Sequence, residues 1–220
     1  METIPGHLER LPQGKDRLQA EMLARGQRDR IMLAMSALVS KRGYQATSIE
    51  KVVKRAKMSR STFYAYFESR EDCLLALFDE GFAQARGQIE AAASEHAGDW
   101  PAEVRAAIAT FLDCVAENPD LARTCLVESV TAGPTAAARY EEAMRLPVAA
   151  LARGRQLADP SRTLPDTLED TIVGGIVWMV HNRLLHNEIA EIRGLLEAML
   201  RFALTPYLGP KRSAKLLAKA

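Results

Sequence analysis

Apolar residues recur along this chain at helical spacing, and nowhere do they alternate with period two over a strand's length. The clearest stripe is Ile31, Ala34, Met35, Leu38 and Val39, with Arg28, Arg30, Lys41 and Arg42 off it, which predicts a helix over 25–42. Gly43 tolerates positive φ and ends it. A second helix presents Ile49, Val52, Val53 and Ala56 inward and Lys51, Lys54 and Arg55 outward. Thr47 and Glu50 read as the two ends of a capping box that opens it. Lys57 and Met58 make a turn, and Ser59 caps a third, short helix reaching Tyr66. A fourth begins near Ser69, with Leu74, Leu77, Phe78 and Phe82 on its core side.

Glycine and proline divide the rest of the chain. Breaks fall at 98–101, 118–119, 133–134, 159–160, 164–165 and 205–206, so the chain separates into about nine helices. The fold class is therefore all-α. Residues 1–24 carry Pro5, Gly6, Pro12 and Gly14 among scattered charges and read as a flexible N-terminal arm. Residues 25–70 form a compact helical module, and 71–220 form a larger helical domain.

Charge sharpens that division. The net charge is only +1, but residues 1–70 carry 14 Lys/Arg against 7 Asp/Glu, while 71–220 carry 15 against 21. A basic module on an acidic remainder fits a phosphate-contacting unit joined to one that avoids phosphate. Cys73, Cys114 and Cys125 are odd in number and far apart, each with an apolar neighbour. They read as small core residues, not as a disulfide framework or a zinc site, and no metal or cofactor is expected. The N-terminus has no signal-peptide pattern, and the most apolar run, Ile172 to Val180, is too short to span a bilayer. A cytoplasmic protein with no membrane partner is expected.

The module's chemistry points to double-stranded DNA. Two short helices joined by a tight turn, the second Ser-capped and rich in small polar and aromatic residues, fit a DNA-reading helix-turn-helix. Arg60 can pair bidentately with a guanine edge, and Ser61 and Thr62 can reach base edges or phosphates. Tyr64 and Tyr66 offer hydroxyls to phosphates, and the helix starts at Ser48 and Ser59 present free N–H groups. Phe63 and Phe67 share the opposite, core face. An aromatic core helix alone explains those two phenylalanines but not the interleaved tyrosines beside Arg60.

Over about 50 residues, with Gly43, Thr47, Ser48, Ser59-Arg-Ser-Thr-Phe-Tyr64, Tyr66-Phe67 and Arg70 carrying the match, the chain resembles the N-terminal signature of the TetR family of transcriptional regulators. The resemblance implies a recognition helix over Ser59–Tyr66, with Arg60, Ser61, Thr62 and Tyr64 facing DNA and Thr47, Ser48, Tyr66 and Arg70 near phosphates. It departs from the family pattern at two positions. Lys57 stands where glycine is usual, implying a left-handed backbone at a residue with a Cβ or a different turn. Arg70 stands where lysine is common. The implied function is a ligand-responsive repressor that binds a pseudo-palindromic operator as a homodimer.

The larger domain carries no confirming motif. Two helices, over 166–186 and 187–204, are expected to pair with their symmetry mates in a four-helix bundle. Their faces are Ile172, Val173, Ile176 and Val177 around Gly174-Gly175, and Ile189, Ile192, Leu195, Leu196 and Met199. Phe111, Tyr140, Met144, Trp178, His181 and Asn182 are candidate lining residues for a small-molecule effector, expected to be fairly hydrophobic. No catalytic residue is assigned: there is no Gly-rich phosphate loop, HExxH, GxSxG or converging carboxylate pair. A helical adaptor for an acidic partner is the alternative that salt-dependent DNA binding would exclude.

Overall fold

A computed structural model describes the backbone of residues 14–128 and 132–218, with side chains from residue 26 onward. Among these residues there are nine α-helices and no strand. Helix α1 (Gly14–Arg42) is longer than its apolar stripe predicts. It takes in residues 14–24, which composition assigned to the arm; Gln19, Ala20, Glu21, Met22 and Leu23 are all competent helix formers. The expected arm over residues 1–13 lies outside the described residues. Helices α2 (Ile49–Ala56) and α3 (Arg60–Tyr64) come next, then α4 (Arg70–Ser94), α5 (Trp100–Glu117) and α6 (Pro119–Arg123). A π-turn over Thr124–Glu128 continues α6. Helix α7 (Pro134–Ala152) runs on into a 3-10 turn, Arg153–Leu157, before α8 (Leu168–Leu185) and α9 (Leu196–Leu217).

Local chemistry sets the ends. Ser69 caps α4 by accepting from the Asp72 N–H, and prolines 101, 119 and 134 occupy first-turn positions where a missing N–H costs nothing. The last break differs from expectation. Helix α9 passes through Pro206 and kinks at Gly209 (φ 75°, ψ 162°). Gly209 precedes Pro210, whose ring disfavours α geometry in the preceding residue, and glycine alone takes positive φ there freely.

Two hydrophobic cores result. The first joins α1 to α4 around Ile31, Met35, Val52, Phe63, Phe67, Leu74 and Phe78. The second gathers α5, α7, α8 and α9 around Leu112, Val115, Ile172, Val180, Ile192, Met199 and Tyr207. Phe82 on α4 packs against both, so α4 is a continuous rod through the two. At one end of the second core the buried Glu169 carboxylate receives Arg155 through two N–H donors (2.8 and 2.6 Å) and the Tyr207 hydroxyl (2.8 Å). Trp100 packs edge-on against Tyr207, centroids 5.1 Å apart, and donates to the Ala150 carbonyl. Burial pushes the Glu169 carboxyl up, but the hydrogen bonds from Arg155 and Tyr207 outweigh it and hold the group below the usual carboxylate range.

Between the cores, α6 and its π-turn brace α1. Ser40 donates to Asp120 (2.8 Å), Thr124 donates to the Ser36 carbonyl (3.2 Å), and the Tyr44 N–H donates to Glu128 (3.3 Å). The same segment is held to α8 by Arg123 on the Leu184 carbonyl (2.5 Å) and by the His181 ring at the Leu126 carbonyl (3.2 Å).

Candidate nucleic-acid interface

The short helix α3 is positioned from beneath by Phe63, fully buried, which meets the Phe67 ring at 5.6 Å. That single anchor turns Arg60, Ser61 and Tyr64 outward, all exposed. Ser59 caps the helix: its hydroxyl accepts from the Thr62 N–H (3.0 Å) and lies 2.7 and 2.8 Å from the Ser61 and Thr62 hydroxyls. Arg60 pairs with Glu50 of α2 at 2.6 Å, and its guanidinium carbon lies 6.0 Å from the Tyr64 ring centre. The turn before it places Lys57 at φ 56°, ψ 47°. A left-handed backbone is thus kept at a lysine, and the turn is not rebuilt.

Several expected phosphate contacts take other roles. Thr47 is fully buried and donates to the Gly43 carbonyl (2.9 Å), so its side chain faces the turn and not a phosphate. The cap of α2 is Ser48, accepting from the Lys51 N–H, one residue later than the expected capping box. Tyr66, expected to offer its hydroxyl outward, donates instead to Gln27 of α1 at 2.9 Å. Arg70 donates to the carbonyls of Thr47 (2.6 Å) and Tyr44 (3.3 Å), with its guanidinium 4.1 Å from the Tyr44 ring centre. It fastens the start of α4 to the turn before α2. Arginine is suited to that double task, because its planar fork can donate and stack at once. Ser48 and Ser59 keep their places at helix starts. The exposed cations Lys41, Arg42, Lys51, Lys54, Arg55 and Lys57 surround the module, and Lys51 also donates to the Ala46 carbonyl (2.6 Å). The outward lysines of α2 and the charge excess of residues 1–70 were the signals for them.

In the larger domain the expected pocket is not assembled. Phe111, Tyr140 and Met144 lie half-buried against the second core. Trp178, expected inside, is 63% exposed and stacks on His181. Asn182 is half-buried, with its carbonyl at the His186 ring (2.8 Å). A cleft of about 200 Å³ between α7 and α8 brings Met144 to Glu141, Arg145, Val148 and Asp170; another of about 330 Å³ lies beside Arg155, Asp159 and Arg162. Both are open to the surface.

The pairing faces also change. Ile172, Val173, Ile176, Ile192 and Met199 belong to the chain's own core, which consumes the stripes expected to meet a second copy. The outward face of α8 carries Thr171, Gly174, Trp178 and Leu185, and that of α9 carries Ala198, Phe202 and Thr205, mostly exposed. The two glycines divide their work: Gly175 lies under the Phe202 ring, while Gly174 faces open space. Burial pushes the Cys73 and Cys125 thiols up to about 12, so neither is a thiolate at neutral pH. No helix of the described residues is long and apolar enough to cross a membrane.

Residues 31–77, which span α2 and α3 with most of the α1 stripe, match the family described as bacterial regulatory proteins, tetR family. Over 121 residues the chain is 31% identical to the HTH-type transcriptional regulator EthR of Mycolicibacterium smegmatis, covering 55% of this chain and about half (51%) of that relative. The fold is similar to FadR from Bacillus subtilis, solved in complex with stearoyl-CoA (TM-score 0.70, 20% identity, 80% of this chain and 97% of that one). It is also similar to a TetR family transcription regulator from Marinobacter aquaeolei VT8 (TM-score 0.66, 24% identity, 86% and 97%). All three are described as transcriptional regulators. The recognition-helix geometry and the family match agree over the same residues, so residues 31–77 carry the N-terminal domain of the tetR family of bacterial regulatory proteins.

Proposed function

We propose that this protein is a ligand-responsive transcriptional repressor that binds a pseudo-palindromic operator as a homodimer in the cytoplasm. The observation that carries the reading is α3 itself. Five residues stand on one buried phenylalanine, with Arg60, Ser61 and Tyr64 exposed side by side inside a cationic border. A helix so short has few side chains to read with, and Arg60 is the one with a fork matching guanine O6 and N7. Ser48 and Ser59 offer helix-start N–H groups to phosphates, and the exposed lysines add charge.

Dimerisation through the outward faces of α8 and α9 brings two copies of α3 to successive major grooves. Trp178, Leu185 and Phe202 are large apolar groups exposed along one surface, and their burial against a second copy explains their presence. The effector is a fairly hydrophobic small molecule that enters the helical domain beside α7 and α8, near Met144, Tyr140 and Phe111, by separating helices that are closed here. The FadR neighbour's complex with stearoyl-CoA makes long-chain acyl-CoA the first probe. Binding there shifts α4, the rod common to both cores, and with it the spacing of the recognition helices.

The test is binding to duplexes from the chain's own upstream DNA across a salt series. Log K falls steeply as salt rises if Lys and Arg neutralise phosphates. Absence of binding at low salt sinks the repressor reading. A complex that forms but ignores acyl-CoAs and a wider small-molecule screen removes only the effector claim.

A further inference from the structure

The Glu50–Arg60 pair places a carboxylate where a DNA-binding surface has every reason to avoid one. Glu50 lies in the first turn of α2, next to the Ser48 cap, among exposed lysines. Its side chain is 60% exposed, and that of Arg60 is 58% exposed, yet the two meet across the gap between helices at 2.6 Å. Arg60 is steadied from its other side by Tyr64, four residues on, with its second terminal nitrogen 3.5 Å from the tyrosine hydroxyl. Hydrogen bonds from its own backbone and from Ser48, with the nearby Arg60 charge, keep the Glu50 carboxyl below the usual range, so it is ionised at any working pH.

We propose that Glu50 is a positioning and specificity-determining residue that makes Arg60 a reader of bases instead of an anchor for phosphates. This rests on the repressor reading above. One carboxylate has two effects. It occupies one N–H of a side chain with four rotatable bonds, so the remaining donors of the fork keep a fixed direction before DNA arrives. It also neutralises the guanidinium locally. A phosphate approaching Arg60 then meets Glu50 and is repelled, whereas the neutral guanine edge offers two acceptors without that penalty. The net result is weaker binding to arbitrary DNA and sharper discrimination at one base pair in each half-site. Glu50 needs no contact with DNA to do this.

The experiment uses the full-length protein and the duplex it selects from a random-sequence pool. That duplex, every single-base-pair variant of it and an unrelated duplex are bound by wild type, E50Q, E50D, R60A and the E50Q/R60A double variant. For E50Q, affinity for the unrelated duplex rises by about twofold to fivefold, the range of an exposed ion pair. Its discrimination falls at a single base pair per half-site, the same one that R60A flattens. E50D keeps the charge but shortens the reach, so it keeps the weak unrelated binding and loses the discrimination. In the R60A background, E50Q brings no further loss at that base pair. An E50Q profile matching wild type at every base pair, alongside an R60A profile flattened at one, overturns the role of Glu50 alone. An R60A profile lowered evenly at all base pairs overturns the base-reader assignment and the Glu50 role with it.

Discussion

At the scale of single residues, position in the sequence and position in space separate most clearly at Thr47, Tyr66 and Arg70. All three are polar, all lie in the basic module, and all are used internally: on the Gly43 carbonyl, on Gln27, and on the carbonyls of Thr47 and Tyr44. A hydroxyl or guanidinium next to a turn is as useful for satisfying buried carbonyls as for holding phosphate, and one-dimensional reading cannot tell these uses apart. Lys57 illustrates the opposite case, because its left-handed backbone is set by its place between two helices. Lys57→Gly relieves the Cβ penalty and stabilises the fold by about 0.5–1 kcal/mol, measured by urea denaturation, offset by weaker DNA binding if the lysine meets phosphate. Tyr66→Phe removes the bond to Gln27, and its affinity for DNA stays at the wild-type value. A loss of affinity that is uniform across DNA sequences would return Tyr66 to the phosphate surface.

At the scale of elements, the joint of the turn after α7, α8 and α9 hangs on Glu169. Its partners come from the Arg153–Leu157 turn and from α9, so one carboxylate orders three elements. Glu169→Gln keeps the volume but leaves Arg155 without its charge partner, and Tm falls by about 4–8 °C. The carboxyl's folded-state value lies below its ordinary 4.5. Its contribution is therefore complete above pH 4.5 and is lost as pH falls through the folded-state value. Thermal melts from about pH 7 down to about pH 3 show wild type losing its advantage over Glu169→Gln only in the acid range. An equal difference at both ends of that range contradicts the assignment.

The whole molecule is two cores joined by the α4 rod and the α6 brace. Beside the apolar Leu121 and Cys125, that brace includes polar contacts, with Ser40–Asp120, Thr124 to Ser36 and Tyr44 to Glu128 on one side. Such contacts exchange partners at smaller cost than interdigitated side chains, which suits a joint that must take two arrangements. Assembly is the other property at this scale. Trp178→Glu puts a charge on the exposed α8 face without touching the internal core. The variant stays folded by circular dichroism, sediments as a monomer and loses operator affinity by about a hundredfold or more, since two half-sites are no longer bound together. A variant that remains dimeric moves the interface elsewhere.

The all-helical class, the order of the first four helices, the caps at Ser59 and Ser69 and the burial of Phe63 and Phe67 were decided locally by the sequence. Each depends on spacing within one or two turns, and caps and amphipathic stripes act over that distance. Tertiary structure decided which apolar stripes serve the chain's own core and which face outward. Ile172, Ile176 and Met199 look like a pairing face until the rest of the second core is seen around them, and Trp178 looks like core until the far side of α8 is found bare. A periodic pattern tells that a face is buried but not by what. The pairing of Glu50 with Arg60 belongs to the same class. Ten residues apart and on separate helices, they meet because Phe63 and Val52 share one core and so bring the start of α2 over α3.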